Sequence, residues 1–216
     1  MTVAKRAMDL AVAAAGVALL WPVLLAIAAA IRLEDGGTVF FRQIRVGERG
    51  VPFRIWKFRT MATALAGQPI TAEGDARITR VGGWLRRFRL DELPQLLNVL
   101  AGEMSLVGPR PELPRFVENY SPEERPVLDF RPGITDPASL RFRDEGAILA
   151  AAADPVQTYV ERILPEKLRL SLAYARQATP MTDLRVLLAT AGAMLGAAKS
   201  PARFESPRER YHAQSH

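Results

Sequence analysis

The chain has 216 residues, 49% of them hydrophobic, which is enough for a sizeable core and too many for a disordered chain. It has no cysteine, which excludes disulfides and thiolate zinc sites; its two histidines, His212 and His216, lie in a polar tail, which excludes a His-based zinc centre and a Ser-His-Asp triad. The 29 Lys and Arg against 23 Asp and Glu, a formal +6, suit a polyanion: nucleic acid, anionic headgroups or a diphosphate.

Residues 10–31 carry no charge and are rich in Ala, Val and Leu, and a run of about 20 apolar residues can cross a bilayer as a helix. A secretory signal peptide competes with that reading through the basic start and Ala28-Ala29-Ala30, although the apolar stretch is long for one. Lys5 and Arg6 precede the segment; Arg32, Arg42, Arg45 and Arg49 follow it, which by the positive-inside tendency places both ends in the cytoplasm. Pro22 lies near the middle, where it removes a backbone hydrogen bond and kinks the helix. A helix that bends at Trp21-Pro22 and returns to its starting face satisfies both observations; a kinked span satisfies the second.

Residues 38–45 and 51–58 are β-rich runs joined by Gly47-Glu48-Arg49-Gly50, which predicts a hairpin. Residues 61–75 mix Ala, Thr, Gly and Pro without a period and predict a loop. The spacing of Val81, Leu85 and Phe88 predicts a basic helix over 78–90. Pro94 and Gly102 bracket a short helix that begins just after Asp91-Glu92. The stretch 105–111 is extended and turn-rich, and Arg131-Pro132-Gly133-Ile134-Thr135 is a second rigid turn. Helices follow over 155–176 and 182–198, the latter apolar enough for a core or interfacial role, and after Lys199 the chain is polar.

With histidine and cysteine unavailable, acid–base or nucleophilic chemistry falls to carboxylates, lysines, tyrosines or hydroxyls. Asp91-Glu92 at a helix start reads first as a cap that offsets the helix dipole. Beside a dense arginine run and an apolar segment it has a second reading. Paired carboxylates suit Mg²⁺ arriving with substrate phosphates, and a carboxylate can attack phosphorus to give an acyl phosphate. Arg86 and Arg110 can grip phosphate oxygens bidentately, and Pro109 and Pro111 stiffen the backbone around Arg110. Lys57 and Arg59, at the end of the second strand, are intermediate cases. Arg32, Arg87, Arg162 and the tail arginines read as solvated or headgroup-facing. No GxxxxGK[ST] loop and no GxGxxG after a strand is present, so P-loop and Rossmann binding find no support.

The block from Leu85 to Glu112, LRRFRLDELPQLLNVLAGEMSLVGPRPE, closely resembles the signature of the bacterial sugar transferases, the monotopic phosphoglycosyl transferases that act on undecaprenyl phosphate. Lys57-Phe58-Arg59-Thr60-Met61 resembles that family's KFR[ST]M motif, Phe41–Gly47 its F-x-Q-x-R-x-G strand, and residues 131–135 its PGIT turn; in the right order these matches cover most of residues 5–195. The resemblance implies a mixed, helix-rich α/β fold with three parts. They are a re-entrant membrane helix over 1–36 broken at Trp21-Pro22, a cytoplasmic catalytic domain over 37–198 with a short hairpin and interfacial amphipathic helices, and a polar tail over 199–216. It implies transfer of a sugar 1-phosphate from a UDP-sugar to polyprenyl phosphate at the cytoplasmic face of the bacterial inner membrane, initiating polysaccharide or glycoconjugate synthesis.

By position in the motif, Asp91 is the nucleophile that releases UMP, Glu92 helps hold Mg²⁺ or assists proton transfer, Arg86 and Arg110 bind phosphate, and Pro109-Arg110-Pro111 forms a nucleotide-side loop. Partners implied are the UDP-sugar, undecaprenyl phosphate, membrane phospholipids and downstream glycosyltransferases, with no nucleic acid. Two positions depart from the pattern: Trp21 replaces the family's Ser before Pro22, and Asp136-Pro137-Ala138-Ser139 replaces a Gly-Leu turn, which bears on sugar choice. The long N-terminal membrane domain of larger members is missing, so a minimal form is expected. A basic, membrane-tethered adaptor also explains charge and anchor but leaves the carboxylate pair and the Pro-Arg-Pro piece without a role.

Overall fold

A computed structural model describes residues 2–62, 74–194 and 196; most of the expected 61–75 loop and the 199–216 tail, with both histidines, lie outside the described residues. Helix α1 (Val3–Asp35) opens on Thr2, whose hydroxyl accepts the Lys5 amide, and closes on Gly36 at φ 71°. It is the one helix among the described residues long and apolar enough to cross a membrane. It keeps a helical course through Trp21-Pro22, so the break expected there is at most a bend inside one helix. Its buried residues fall in two pairs one turn apart, Asp9 with Ala13 and Ile27 with Ile31, while Leu19 and Trp21 between them are 77% and 57% exposed. Both ends of α1 therefore dock on the same body, Val17 and Leu24 between them pack partly against it, and the opposite face stays exposed.

Strands β1 (Phe40–Val46) and β2 (Pro52–Phe58) form the predicted hairpin, with a 3₁₀ turn over Glu48–Gly50. Side-chain alternation puts Phe53, Ile55 and Lys57 on one face, and Phe53 and Ile55 enter the core. Helix α2 (Arg80–Arg87) is shorter than the predicted 78–90 and is capped by the Thr79 hydroxyl. It presses on the end of β2: a Cβ at Gly82 would stand 2.1 Å from the Thr60 carbonyl oxygen, so only glycine permits this approach. Next come a 3₁₀ turn over Leu90–Glu92 and helix α3 (Gln95–Ala101), which ends on Gly102 at φ 85°.

Strand β3 (Ser105–Val107) pairs in parallel with β4 (Gly133–Thr135), so the two stretches expected as turns also make a small sheet. The chains cross at Gly108 and Gly133, where a Cβ on Gly133 would lie 2.0 Å from the Gly108 nitrogen. Between these strands lie α4 (Pro114–Val117) and a 3₁₀ turn over Arg125–Asp129; after them come α5 (Pro137–Arg141), α6 (Glu145–Ala150) and α7 (Pro155–Thr158). The helix expected over 155–176 is interrupted by a wide π turn at Tyr159–Ile163 before α8 (Leu164–Ala175). Helix α9 is described over Pro180–Met194.

The core has three apolar centres. Phe53, Ile55, Leu96, Val99, Met104 and Leu106 join the hairpin, α3 and β3 to Ala13 of α1. Leu113, Phe116, Val117, Tyr159, Ile163 and Leu168 join α4 to the π turn and α8. Ile27 and Ile31 of α1 meet Phe58 and Leu85. Burial of each such side chain contributes about 2 kcal/mol, so both ends of α1 are held by the same force that builds the rest of the core.

Candidate active site

Asp91 and Glu92 share one 3₁₀ turn, yet their surroundings are opposite. The turn is entered through Arg89 at φ 52°, a left-handed conformation unusual for a non-glycine residue and of the kind that collects at functional sites. Glu92 is 6% exposed and is clamped by three cations. Lys57 Nζ, from β2, donates to Glu92 Oε1 at 3.0 Å; Arg110 pairs with both carboxylate oxygens, reaching Oε2 at 3.3 Å; Arg89 Nη1 stands 3.8 Å from Oε2. Burial alone would raise the Glu92 pKa, but Arg110, Lys57 and Arg89 together hold it well below the ordinary carboxylate range. Burial lowers the Lys57 pKa against the opposing pull of Glu92, while Glu92 raises that of Arg110.

Asp91 has no hydrogen bond or ion pair among the described residues. Burial raises its pKa, the negative charge of Glu92 raises it further, and Lys57, Arg86 and Arg110 pull it back down. One carboxylate is thus a fixed, fully paired anchor and its neighbour an open oxygen pair in a ring of positive charge. Mg²⁺ takes one or two carboxylates and completes its shell with water and substrate phosphate; here Asp91 could serve as such a ligand, and Glu92 could do so only by giving up a cation.

The structure brings Asp91, Glu92, Lys57, Arg110 and Arg86 together, with Arg86 close enough to act on Asp91 by charge. Pro109 and Pro111 are buried and serve through their backbone: the Pro109 carbonyl accepts the Gly133 amide at 2.9 Å, and that of Pro111 accepts Arg45 Nη1 at 3.2 Å. Arg59 does not join them. Its guanidinium is 5% exposed and spent on both oxygens of Asp35 at the end of α1, and on the Thr38 and Met61 carbonyls. Trp21 and Pro22 are exposed on α1 and make none of the contacts to Asp91 or Glu92 described above.

Two residues that sequence reasoning passed over help to build the site. Arg89 supplies the strained entry and a third cation for Glu92; its place three residues before Glu92 was the available signal. Asn98, 0% exposed, accepts the Trp56 amide at Oδ1 (2.9 Å) and donates from Nδ2 to the Arg54 carbonyl (2.9 Å) and to Glu103 (2.7 Å). It fastens β2 to α3 so that Lys57 is in register with Glu92. Beyond Arg110 a recess between α5 and α8 is lined by Asp136, Ala138, Lys167 and Ser171, so the departure at 136–139 faces the same neighbourhood.

The sequence model for the bacterial sugar transferases matches residues 1–197. Among curated proteins, the UDP-glucose:undecaprenyl-phosphate glucose-1-phosphate transferase of Caulobacter vibrioides is 39% identical over 196 residues, covering 88% of this chain and 69% of that protein. The protein of that name from Escherichia coli is 36% identical over 86% of this chain and 39% of its own length. The UDP-N-acetylgalactosamine-undecaprenyl-phosphate N-acetylgalactosaminephosphotransferase of Aeromonas hydrophila is 47% identical over 137 residues, 61% of this chain and 32% of that protein. The chain thus spans well under half the length of the last two.

Proposed function

The chain belongs to the bacterial sugar transferase family, and on that premise we propose that it moves a sugar 1-phosphate from a UDP-sugar to undecaprenyl phosphate, releasing UMP. The observation that carries the reading is the contrast between Asp91 and Glu92. Glu92 is held by Lys57 and Arg110, which leaves the Asp91 carboxylate unpaired and facing cations.

In the first step an Asp91 oxygen attacks the sugar-bearing phosphorus. The bond from that phosphorus to the bridging oxygen breaks, and UMP departs with the bridging oxygen. In the second, a phosphate oxygen of the polyprenyl phosphate attacks the same phosphorus, the Asp91 O–P bond breaks, and the carboxylate is regenerated. Arg86 and Arg110 neutralise the diphosphate; Arg110 exchanges Glu92 for a phosphate oxygen at little cost because both are anions. Mg²⁺, held by Asp91 with Glu92 nearby, would supply further neutralisation of the leaving UMP. No proton transfer is required if the acceptor enters ionised.

The membrane arrangement rests on α1. Lys5 pairs with Asp183 of α9, Arg6 donates to the Val99 carbonyl at 2.7 Å, and Asp9 accepts the Leu106 amide at 3.2 Å; at the far end Asp35 meets Arg59. A helix tied to one body at both ends, with Trp21, Val23 and Leu25 on an exposed apolar face between them, supports a re-entrant anchor on the cytoplasmic face of the bacterial membrane.

The test is UMP release from a panel of UDP-sugars by protein in nanodiscs with undecaprenyl phosphate and Mg²⁺. One donor should give UMP, and both EDTA and Asp91→Asn should abolish it; release of UDP instead of UMP would remove the Asp91 mechanism.

A further inference from the structure

Behind the Pro109-Arg110-Pro111 turn lies a buried polar cluster that the two chemical steps do not use. Glu112, 6% exposed, accepts the Tyr159 hydroxyl at Oε1 (2.5 Å) and the Leu113 amide at Oε2 (3.3 Å), where it also faces Arg45 Nη1 at 3.6 Å. The same arginine nitrogen bonds the Pro111 carbonyl, and the Glu112 carbonyl accepts the Val46 amide at 2.9 Å. Tyr159 is 4% exposed and opens the π turn Tyr159–Ile163. Its ring is fixed by Phe116 at 5.2 Å and lies under Lys167 Nζ at 5.3 Å, which Glu145 holds at 2.8 Å. Single π turns inside α-helices are uncommon and collect at functional sites, because the extra residue redirects a side chain.

Arg110 sits two residues before Glu112 and experiences the charge of both Glu92 and Glu112. Arg110 and Glu112 also line the same recess between α5 and α8, so a Glu112 carboxylate released from Tyr159 can compete with Glu92 for the guanidinium. We infer that Tyr159 is a positioning residue: by fixing Glu112 toward the α4–α8 core, it leaves the Arg110 guanidinium free to pair with Glu92 or a substrate phosphate. Tyr159 does not touch Asp91 or Glu92 and takes no part in bond making. The competing account is that its hydroxyl merely satisfies a buried carboxylate. The two accounts differ in what happens at Arg110.

This inference rests on the phosphoryl-transfer reading, and the experiment separates the two. Full-length protein and Tyr159→Phe, which keeps the ring, are compared in nanodiscs by hydrogen exchange of residues 108–113 and by steady-state UMP release. Exchange over 108–113 should quicken about fivefold, and KM for the UDP-sugar should rise about tenfold while kcat changes less than about threefold. In a Glu112→Gln background, where no second carboxylate competes, Tyr159→Phe should leave KM unchanged. Unaltered exchange, unaltered KM, or a KM effect of equal size in the Glu112→Gln background overturns the positioning role. Faster exchange in a protein whose unsubstituted form releases no UMP keeps the role of Tyr159 in the turn and overturns the phosphoryl-transfer reading instead.

Discussion

Adjacent carboxylates of one turn respond oppositely to loss of charge. Asp91 is half-buried, unpaired and repelled by Glu92, so its ionised form is costly in the resting protein. Glu92 neutralises Lys57 and Arg110, whose side chains are 18% and 24% exposed. Asp91→Asn should therefore keep or slightly raise thermal stability while abolishing turnover, the usual cost of a preorganised site. Glu92→Gln should lower stability by about 3 kcal/mol, because it strands neighbouring cations in a confined space. Thermal unfolding of both variants in one detergent checks the ordering; a destabilised Asp91→Asn would mean that the carboxylate is paired in the resting protein.

At the scale of elements, the site depends on how β2 and α3 are joined. Asn98 makes that joint with two hydrogen bonds to β2 and is itself held by Glu103, and Asn98→Ala leaves the two strand groups without their partner. The expected cost is about 2–4 kcal/mol, accompanied by a fall in kcat because Lys57 shifts against Glu92; thermal unfolding and UMP release measure the two effects. A normal kcat would place the alignment of Lys57 elsewhere. These joints also mark the boundary of what sequence reasoning reaches. The hairpin and α3 were legible because alternation, glycines and the proline start are local signals, and Asp91, Glu92, Arg86 and Arg110 were legible from one contiguous block. For Arg59, an intermediate case by sequence, the deciding partner is Asp35, 24 positions back on another element. Tyr159 meets Glu112 across 47 positions, and Asn98 meets Trp56 across 42. Such pairings are decided by tertiary approach, which no local period encodes. Gly82 is likewise decided by tertiary approach, since α2 touches the Thr60 backbone there.

The whole molecule is organised by a helix fixed at both ends. Lys5 is 14% exposed and Asp183 fully buried, with the Tyr174 hydroxyl donating to the other Asp183 oxygen at 2.6 Å, so the first leg of α1 is tied by a charged bond inside the protein. The second leg ends on the Arg59–Asp35 pair. Because the chain has no cysteine, single cysteines can report on each leg. Thr2→Cys and Gly36→Cys should both react with a membrane-impermeant maleimide offered from the cytoplasmic side and neither from the opposite side. Opposite-side labelling of either position would rule out the shared docking.

This double attachment has a mechanical consequence. A helix that crosses a bilayer must match its thickness, and mismatch is relieved by tilt or by deforming the lipid. Helix α1 is instead held to the rest of the fold near both ends, at Asp9 and Ala13 and at Ile27 and Ile31, so under the proposed re-entrant arrangement those contacts set its place. Under that arrangement membrane thickness would exert no direct force on the carboxylate pair, and turnover should be alike in thin and thick bilayers.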